Sequence, residues 1–209
     1  MPKQVSDHFN SFVSHLNNLE KTRKRMESLL LKRIVVRRDI EQVYEGLYMS
    51  SITSFENWIE DLFIGLLVGR LKHCSAAVVP RVSFKSDHVA REVIFSDRNY
   101  VDWLPYRFTQ KRANAFFRNG MPFTCLNKPE NKPDLKKLQI LFYIRNVVAH
   151  KSAYSKKKFE DEVIGSSPVP LQEHTPAGYL RGIFRITPTQ TRYENFINEM
   201  ASIAKKLCS

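Results

Sequence analysis

Cysteine, glycine and acidic residues are all scarce in this chain. Its 209 residues include three cysteines and seven glycines, and 21 acidic side chains stand against 33 lysines and arginines. Cys74, Cys125 and Cys208 are odd in number, far apart and unaccompanied by a C-x-x-C spacing or clustered histidines, which speaks against a disulfide framework or a zinc site. No segment has the Gly-rich pattern of a phosphate loop, and no paired carboxylates are spaced to hold magnesium, so no cofactor and no metal are expected. No uncharged apolar run approaches the roughly 18 residues that cross a bilayer, and the stretch from Met1 to Asp7 lacks the apolar core of a signal peptide. The expectation is a protein of the reducing cytoplasm with no membrane partner.

What the chain has in excess is positive charge. A formal net charge of +12 is a statement about partners, because such a field attracts polyanions, with nucleic acid first among them. The excess is patterned. Lys21, Arg23, Lys24, Arg25, Lys32, Arg33, Arg37 and Arg38 crowd one stretch against a single acid, Glu27. Arg107, Lys111, Arg112 and Arg118 are interleaved with Phe108, Phe116 and Phe117, and Lys151, Lys156, Lys157 and Lys158 form a third cluster. Phenylalanines between basic residues can stack on bases, although at helical spacing they more often belong to a core.

With 43% hydrophobic residues and 11% aromatics the chain can bury a sizeable core, and its length suits a single domain over residues 1–209. Apolar residues recur at threes and fours from about Ser6 to Lys32 and from about Asp39 to Lys72, which predicts two long helices. From 75 to 105 the period changes, and Val78–Phe84 and Val93–Phe95 read as short extended pieces within an irregular insertion. A modest helix from about Gln110 to Arg118 stops at Asn119-Gly120. Asp134, directly after Pro133, is a suitable N-cap for a helix that runs to about His150. Residues 154–180 have loop composition and are expected to be mobile, Leu180–Ile186 alternates like a short strand, and a last helix runs from about Thr189 to Leu207.

The helix ending at His150 holds the most informative stretch, Arg145-Asn146-Val147-Val148-Ala149-His150. Its apolar neighbours Leu138, Leu141 and Ile144 argue for a buried helix, where an unpaired polar group costs about 1–3 kcal/mol. Asn146 and His150 stand one turn apart on one face, and Arg145 and His150 lie about 140° apart around the axis. Arginine offers a fixed fork of donors to phosphate oxygens, histidine carries a proton in either direction near neutral pH, and asparagine can orient either group. These are parts of a metal-free phosphodiester chemistry. The same spacing also fits an arginine that caps a buried carboxylate and a histidine that merely ends a helix.

The run Ile144–His150 resembles the R-N-x-x-x-H signature of HEPN domains, the all-helical "higher eukaryote and prokaryote nucleotide-binding" superfamily. Upstream, Tyr48–Leu62, with its small residues followed by Phe55, Glu56 and Trp58, is similar to the long helix of the RiboL-PSP type of that superfamily. Together the two segments cover about a quarter of the chain. The resemblance implies an all-α bundle of long antiparallel helices, elaborated here by the insertion near 75–105, the loop at 154–180 and a short β element.

Many HEPN domains are metal-independent endoribonucleases of toxin or antiviral defence systems, and act as homodimers whose motif helices face each other. By resemblance, Arg145, Asn146 and His150 would be the catalytic residues: Arg145 on the scissile phosphate, His150 on the 2′-hydroxyl or the leaving oxygen, and Asn146 in support. On the second long helix, the small Ser54 leaves room for a close helix or a polar partner of the motif, and Glu56 is a candidate acidic partner that fits a solvated face equally well. RNA would be bound by Lys151, Lys156, Lys157, Lys158, Arg107, Lys111 and Arg112, and an antitoxin or defence-system protein would be a further partner. The alternative is a non-catalytic RNA- or nucleotide-binding module that acts as an adaptor in such a complex.

Overall fold

The buried stripe of the second long helix organises the molecule. The computed structural model describes residues 2–96, 98–165 and 169–209, and among them eight α-helices and two short strand pairs make an all-α fold. The helices are α1 (Val5–Leu31), α2 (Arg37–Leu67), α3 (Asp87–Phe95), α4 (Arg107–Phe116), α5 (Lys132–His150), α6 (Ala153–Phe159), α7 (Pro176–Arg181) and α8 (Arg192–Leu207). Strand β1 (Lys3–Gln4) pairs in parallel with β2 (Leu71–Lys72), and β3 (Ile183–Arg185) pairs antiparallel with β4 (Gln190–Thr191). No helix of the described residues is long and apolar enough to cross a membrane.

Two compact units emerge, each assembled from distant segments. The first comprises Met1–Val13, Ser54–Gln139 and Ala201–Ser209; the second comprises Ser14–Thr53 and Ile140–Met200.

In the first unit, the later half of α2 is buried almost all round, at Phe55, Trp58, Ile59, Leu62, Phe63, Ile64, Leu66 and Leu67. Phe63 is the hub of an aromatic cluster, with Phe117, Phe123 and Trp103 rings at 5.0, 5.1 and 5.2 Å. Each such pair contributes about 0.5–1.5 kcal/mol beyond the area it buries. Phe117 is therefore core, not a stacking platform. The tight stop after α4 requires Gly120: its φ is +67°, and a Cβ there would collide with Asn114 and Thr124.

Two expectations change here. Val93, Ile94 and Phe95 are helical, because Ser86 caps α3 by accepting from the Val89 amide at 3.4 Å, and Ala90 and Ile94 share one buried face. The extended reading holds nearer Pro80, whose neighbours exchange backbone bonds with the end of α4: Arg81 N–H to Phe116 O and Arg118 N–H to Val79 O, both 2.8 Å. Asp134 is not the N-cap of α5, since the helix begins at Lys132. It is instead a buried carboxylate that accepts from Lys206 at 2.5 Å and Lys137 at 3.4 Å.

In the second unit, α2 and α5 run antiparallel: the Tyr48 hydroxyl donates to the Leu141 carbonyl at 2.7 Å, and Glu45, earlier on α2, lies 3.4 Å from Lys151, just past the end of α5. Tyr44, Tyr48, Leu141, Ile144, Tyr193 and Phe196 fill the space between them and α8. The apolar stripe of α1 is interrupted at its buried position 23 by an arginine. Arg23 is 6% exposed, and bonds Glu20 at 2.7 and 2.8 Å, Glu194 at 2.8 Å and the Tyr44 hydroxyl at 3.1 Å. Tyr44 in turn donates to Glu27, which also accepts a bidentate pair from Arg181 at 2.8 and 3.1 Å. Part of the basic stretch at 21–38 is thus consumed inside the unit.

The stretch 154–180 is also not the plain loop its composition predicts. It carries α6, a π-helical turn at Glu160–Ile164, a 3₁₀ turn at Leu171–Glu173 and α7. Helix starts account for part of its composition: Ser152, just before it, accepts from the Ser155 amide at 3.2 Å, Thr175 accepts from the Gly178 amide at 3.1 Å, and Pro176 opens α7. Phe159, Val163 and Ile164 then anchor the segment by burial. Ser166, Ser167 and Pro168 lie outside the described residues. The strand expected at Leu180–Ile186 is confined to Ile183–Arg185, because Leu180 and Arg181 complete α7.

Candidate functional site

The carboxyl-terminal half of α5 separates its faces cleanly. Leu141, Ile144, Val147 and Val148 are buried, whereas Arg145 and Asn146 are half-buried and His150 is exposed. The buried setting expected for the three polar side chains is therefore corrected: they stand on the flank that the apolar stripe leaves to solvent, where water limits the desolvation cost. Arg145 Nη1 donates to Asn146 Oδ1 at 3.2 Å, and among the described residues Arg145 forms no ion pair. A neutral amide orients the guanidinium and leaves its charge uncompensated, as an anion-binding group requires.

The backbone after His150 turns sharply. Lys151 adopts a left-handed conformation (φ +49°), and its amide closes the helix on the Val147 carbonyl at 3.2 Å. Its ammonium lies 3.4 Å from Glu45 of α2 with the side chain 68% exposed, so the pair contributes little, about 0–1 kcal/mol. Glu45 is the acid that the second unit brings to the end of the motif helix.

Of the expected supporting residues, Ser54 and Glu56 are half-buried on α2 and belong to the first unit, whereas the motif belongs to the second.

The expected RNA-binding cations fall into different environments. Lys156 and Lys157 are exposed on α6. Lys158 lies 3.4 Å from Glu162, and that hydrogen bond raises its pKa. Arg107 and Lys111 are exposed on α4 in the first unit, with the Arg107 guanidinium 5.1 Å over the exposed Phe108 ring. Arg112 is committed to structure: it stacks 5.2 Å over Trp103 and donates to the Asp102 carbonyl, and burial lowers its pKa.

Beside the end of α5 the second unit holds a cleft of about 290 Å³. Val147, Phe159 and Pro176 give it apolar lining, and Glu45, Lys151, Lys156, Glu160, His174 and Thr175 line it as well. The motif's own Arg145, Asn146 and His150 are outside this lining, although Lys151 directly follows His150. Sequence reasoning missed Glu45, Phe159, Glu160, His174 and Thr175. The helical spacing of Ser155, Phe159 and Val163, three buried positions in a supposed loop, was the available signal.

The three cysteines also converge, in the first unit, on the end of α8. The Cys74 thiol donates to the Cys208 carbonyl at 3.3 Å, and the Cys125 thiol to the Lys206 carbonyl at 3.6 Å. Burial pushes the Cys125 thiol up to about 11 and the Cys208 thiol up to about 12. Thiols so raised are poor nucleophiles and poor metal ligands at neutral pH, and among the described residues no His, Cys, Asp and Glu side chains group as a metal site.

No protein-family model matches the chain, and neither a curated protein nor a solved structure matches it.

Proposed function

We propose that this chain is a HEPN-type endoribonuclease that cuts RNA without a metal ion, leaving 2′,3′-cyclic phosphate and 5′-hydroxyl ends, within a toxin or antiviral defence system. The observation that carries the reading is Arg145: a guanidinium on a half-exposed helix flank, oriented by Asn146 and in no ion pair among the described residues, on the same helix as the exposed His150. The resemblance of Ile144–His150 to the R-N-x-x-x-H signature adds the reaction class.

In this mechanism Arg145 donates to the non-bridging oxygens of the scissile phosphate and stabilises the charge that accumulates on them. A histidine accepts the proton of the ribose 2′-hydroxyl as its oxygen bonds to phosphorus. The bond from phosphorus to the 5′-oxygen breaks, and that oxygen takes a proton from a second acid. Each of these contributions typically supplies about 10² or more in rate. One chain offers one motif histidine, so a homodimer in which a second copy brings the second proton-transfer group completes the scheme.

A second reading is favoured by one specific observation. His150 is exposed, and among the described residues no hydrogen bond orients its ring, which suits a module that binds RNA or nucleotides without cutting them. Purified wild-type and His150→Ala protein incubated with total RNA in excess EDTA separates the two. Cyclic phosphate ends produced by the wild type alone are the expected result; RNA left intact by both proteins overturns the nuclease.

A further inference from the structure

The cleft beside the end of α5 combines three chemistries within the second unit. Its walls at Val147, Phe159 and Pro176 are apolar, and Phe159 is 2% exposed and held edge-on by Tyr179 at 5.8 Å. Two lysines, Lys151 and Lys156, are among its lining residues. Two acidic residues, Glu45 and Glu160, also line it, and their pairing differs. Glu45 is taken by Lys151 at 3.4 Å, whereas Glu160 forms no ion pair among the described residues. Its volume of about 290 Å³ falls just short of the roughly 300 Å³ at which ligand pockets usually begin.

We infer that this cleft is a guanine-nucleotide pocket: the base enters between the apolar walls, Glu160 accepts from its N1–H and N2–H donors, and Lys151 and Lys156 hold the attached phosphate. The choice among bases follows from donor chemistry. A carboxylate has acceptors only, so it favours the base with the most donors along one edge. Guanine presents an imino N–H and an amino N–H side by side, which matches both carboxylate oxygens. Adenine and cytosine each offer one amino group beside an acceptor nitrogen, and uracil one imino N–H between two carbonyls. Those acceptors face the carboxylate unfavourably.

The location gives the pocket its use, and this step rests on the ribonuclease reading above. Lys151 both lines the cleft and directly follows His150, and Val147 lies one turn before it on the same helix. A guanine seated there would place a backbone phosphate at the motif, making the pocket a specificity subsite for cleavage next to G.

Equilibrium titration of the full chain with the 5′-monophosphates of guanosine, adenosine, cytidine and uridine at low salt tests the pocket without requiring cleavage. Guanosine monophosphate should bind about tenfold or more tighter than the other three. Glu160→Gln should erase most of that preference, and Lys156→Ala should weaken all four alike; both side chains are exposed, so the variants should fold. Equal binding of the four nucleotides, or a preference that survives Glu160→Gln, overturns the inference. No nucleotide binding by a protein that cuts RNA also overturns it and leaves the nuclease standing. Guanine-selective binding by a protein that leaves RNA intact retains the pocket and overturns the nuclease instead.

Discussion

Arg145 donates a guanidinium N–H to the side-chain oxygen of its own neighbour, Asn146, at 3.2 Å, on the half-exposed flank of a helix whose opposite face is sealed in the core. Two adjacent side chains on a helix point about 100° apart, so this bond sets the direction of the arginine fork at no cost in core packing. It also means that chemistry at the motif can be separated experimentally from folding.

Arg145→Lys keeps the charge and loses the planar fork. Cleavage of RNA should fall by about 10² or more, while urea unfolding shifts by less than about 0.5 kcal/mol, because the site is at the surface. Asn146→Ala should give a smaller loss in rate with equally little effect on unfolding. A large destabilisation by either variant would reassign the motif to structure.

Arg23→Ala should be among the most damaging single changes in the second unit. It would leave Glu20, Glu194 and the Tyr44 hydroxyl facing a hole at a site that is 6% exposed. Burial opposes the charge of Arg23, but its bonds to Glu20 and Tyr44 more than offset this and raise its pKa. Removing one member of such a buried set costs about 3–5 kcal/mol. Lys24→Ala, one residue along and 63% exposed, should cost less than about 0.5 kcal/mol by the same denaturant titration.

Glu27 makes stability sensitive to acid. Burial works to raise its pKa, but the Arg181 and Tyr44 hydrogen bonds outweigh it and hold the carboxyl below its ordinary value of 4.5. A carboxylate lowered in the folded state stabilises fully above its unfolded value, and that contribution disappears as pH falls through the folded one. Thermal stability of the wild type should therefore decline from about pH 4.5 downward. Glu27→Gln should start less stable at neutral pH and show a shallower decline. Parallel curves for the two proteins would rule this linkage out.

Lys151 occupies a backbone conformation that suits glycine. Lys151→Gly should relieve the left-handed strain and raise stability by about 0.5–1 kcal/mol, at the loss of a weak surface ion pair to Glu45. The same change should weaken RNA binding with a flatter dependence on salt, since one phosphate contact is removed. A stability gain with unchanged RNA affinity would remove Lys151 from the proposed interface.

The long helices and their faces were legible in the amino-acid sequence because helical periodicity is local: Ile40, Tyr44, Leu47 and Phe55 announce a buried stripe whatever they pack against. The sequence by itself also determined the lack of a long uncharged apolar run, the positive charge and the spacing of Arg145, Asn146 and His150. Tertiary structure alone decided which cations remain free. Arg23 and Arg112 look like their exposed neighbours in the chain, and only their placement against Glu194 and Trp103 turns them inward. It also decided that 154–180 carries helices, since Ser152, Thr175 and Pro176 act as caps only once Phe159 and Val163 find a core. Glu45 could not be singled out beforehand, because its role rests on Lys151, 106 positions away (151 − 45), which comes within 3.4 Å through the antiparallel packing of α2 and α5. Contacts of that kind depend on how the hydrophobic faces dock, and docking is a property of the whole chain rather than of any window within it.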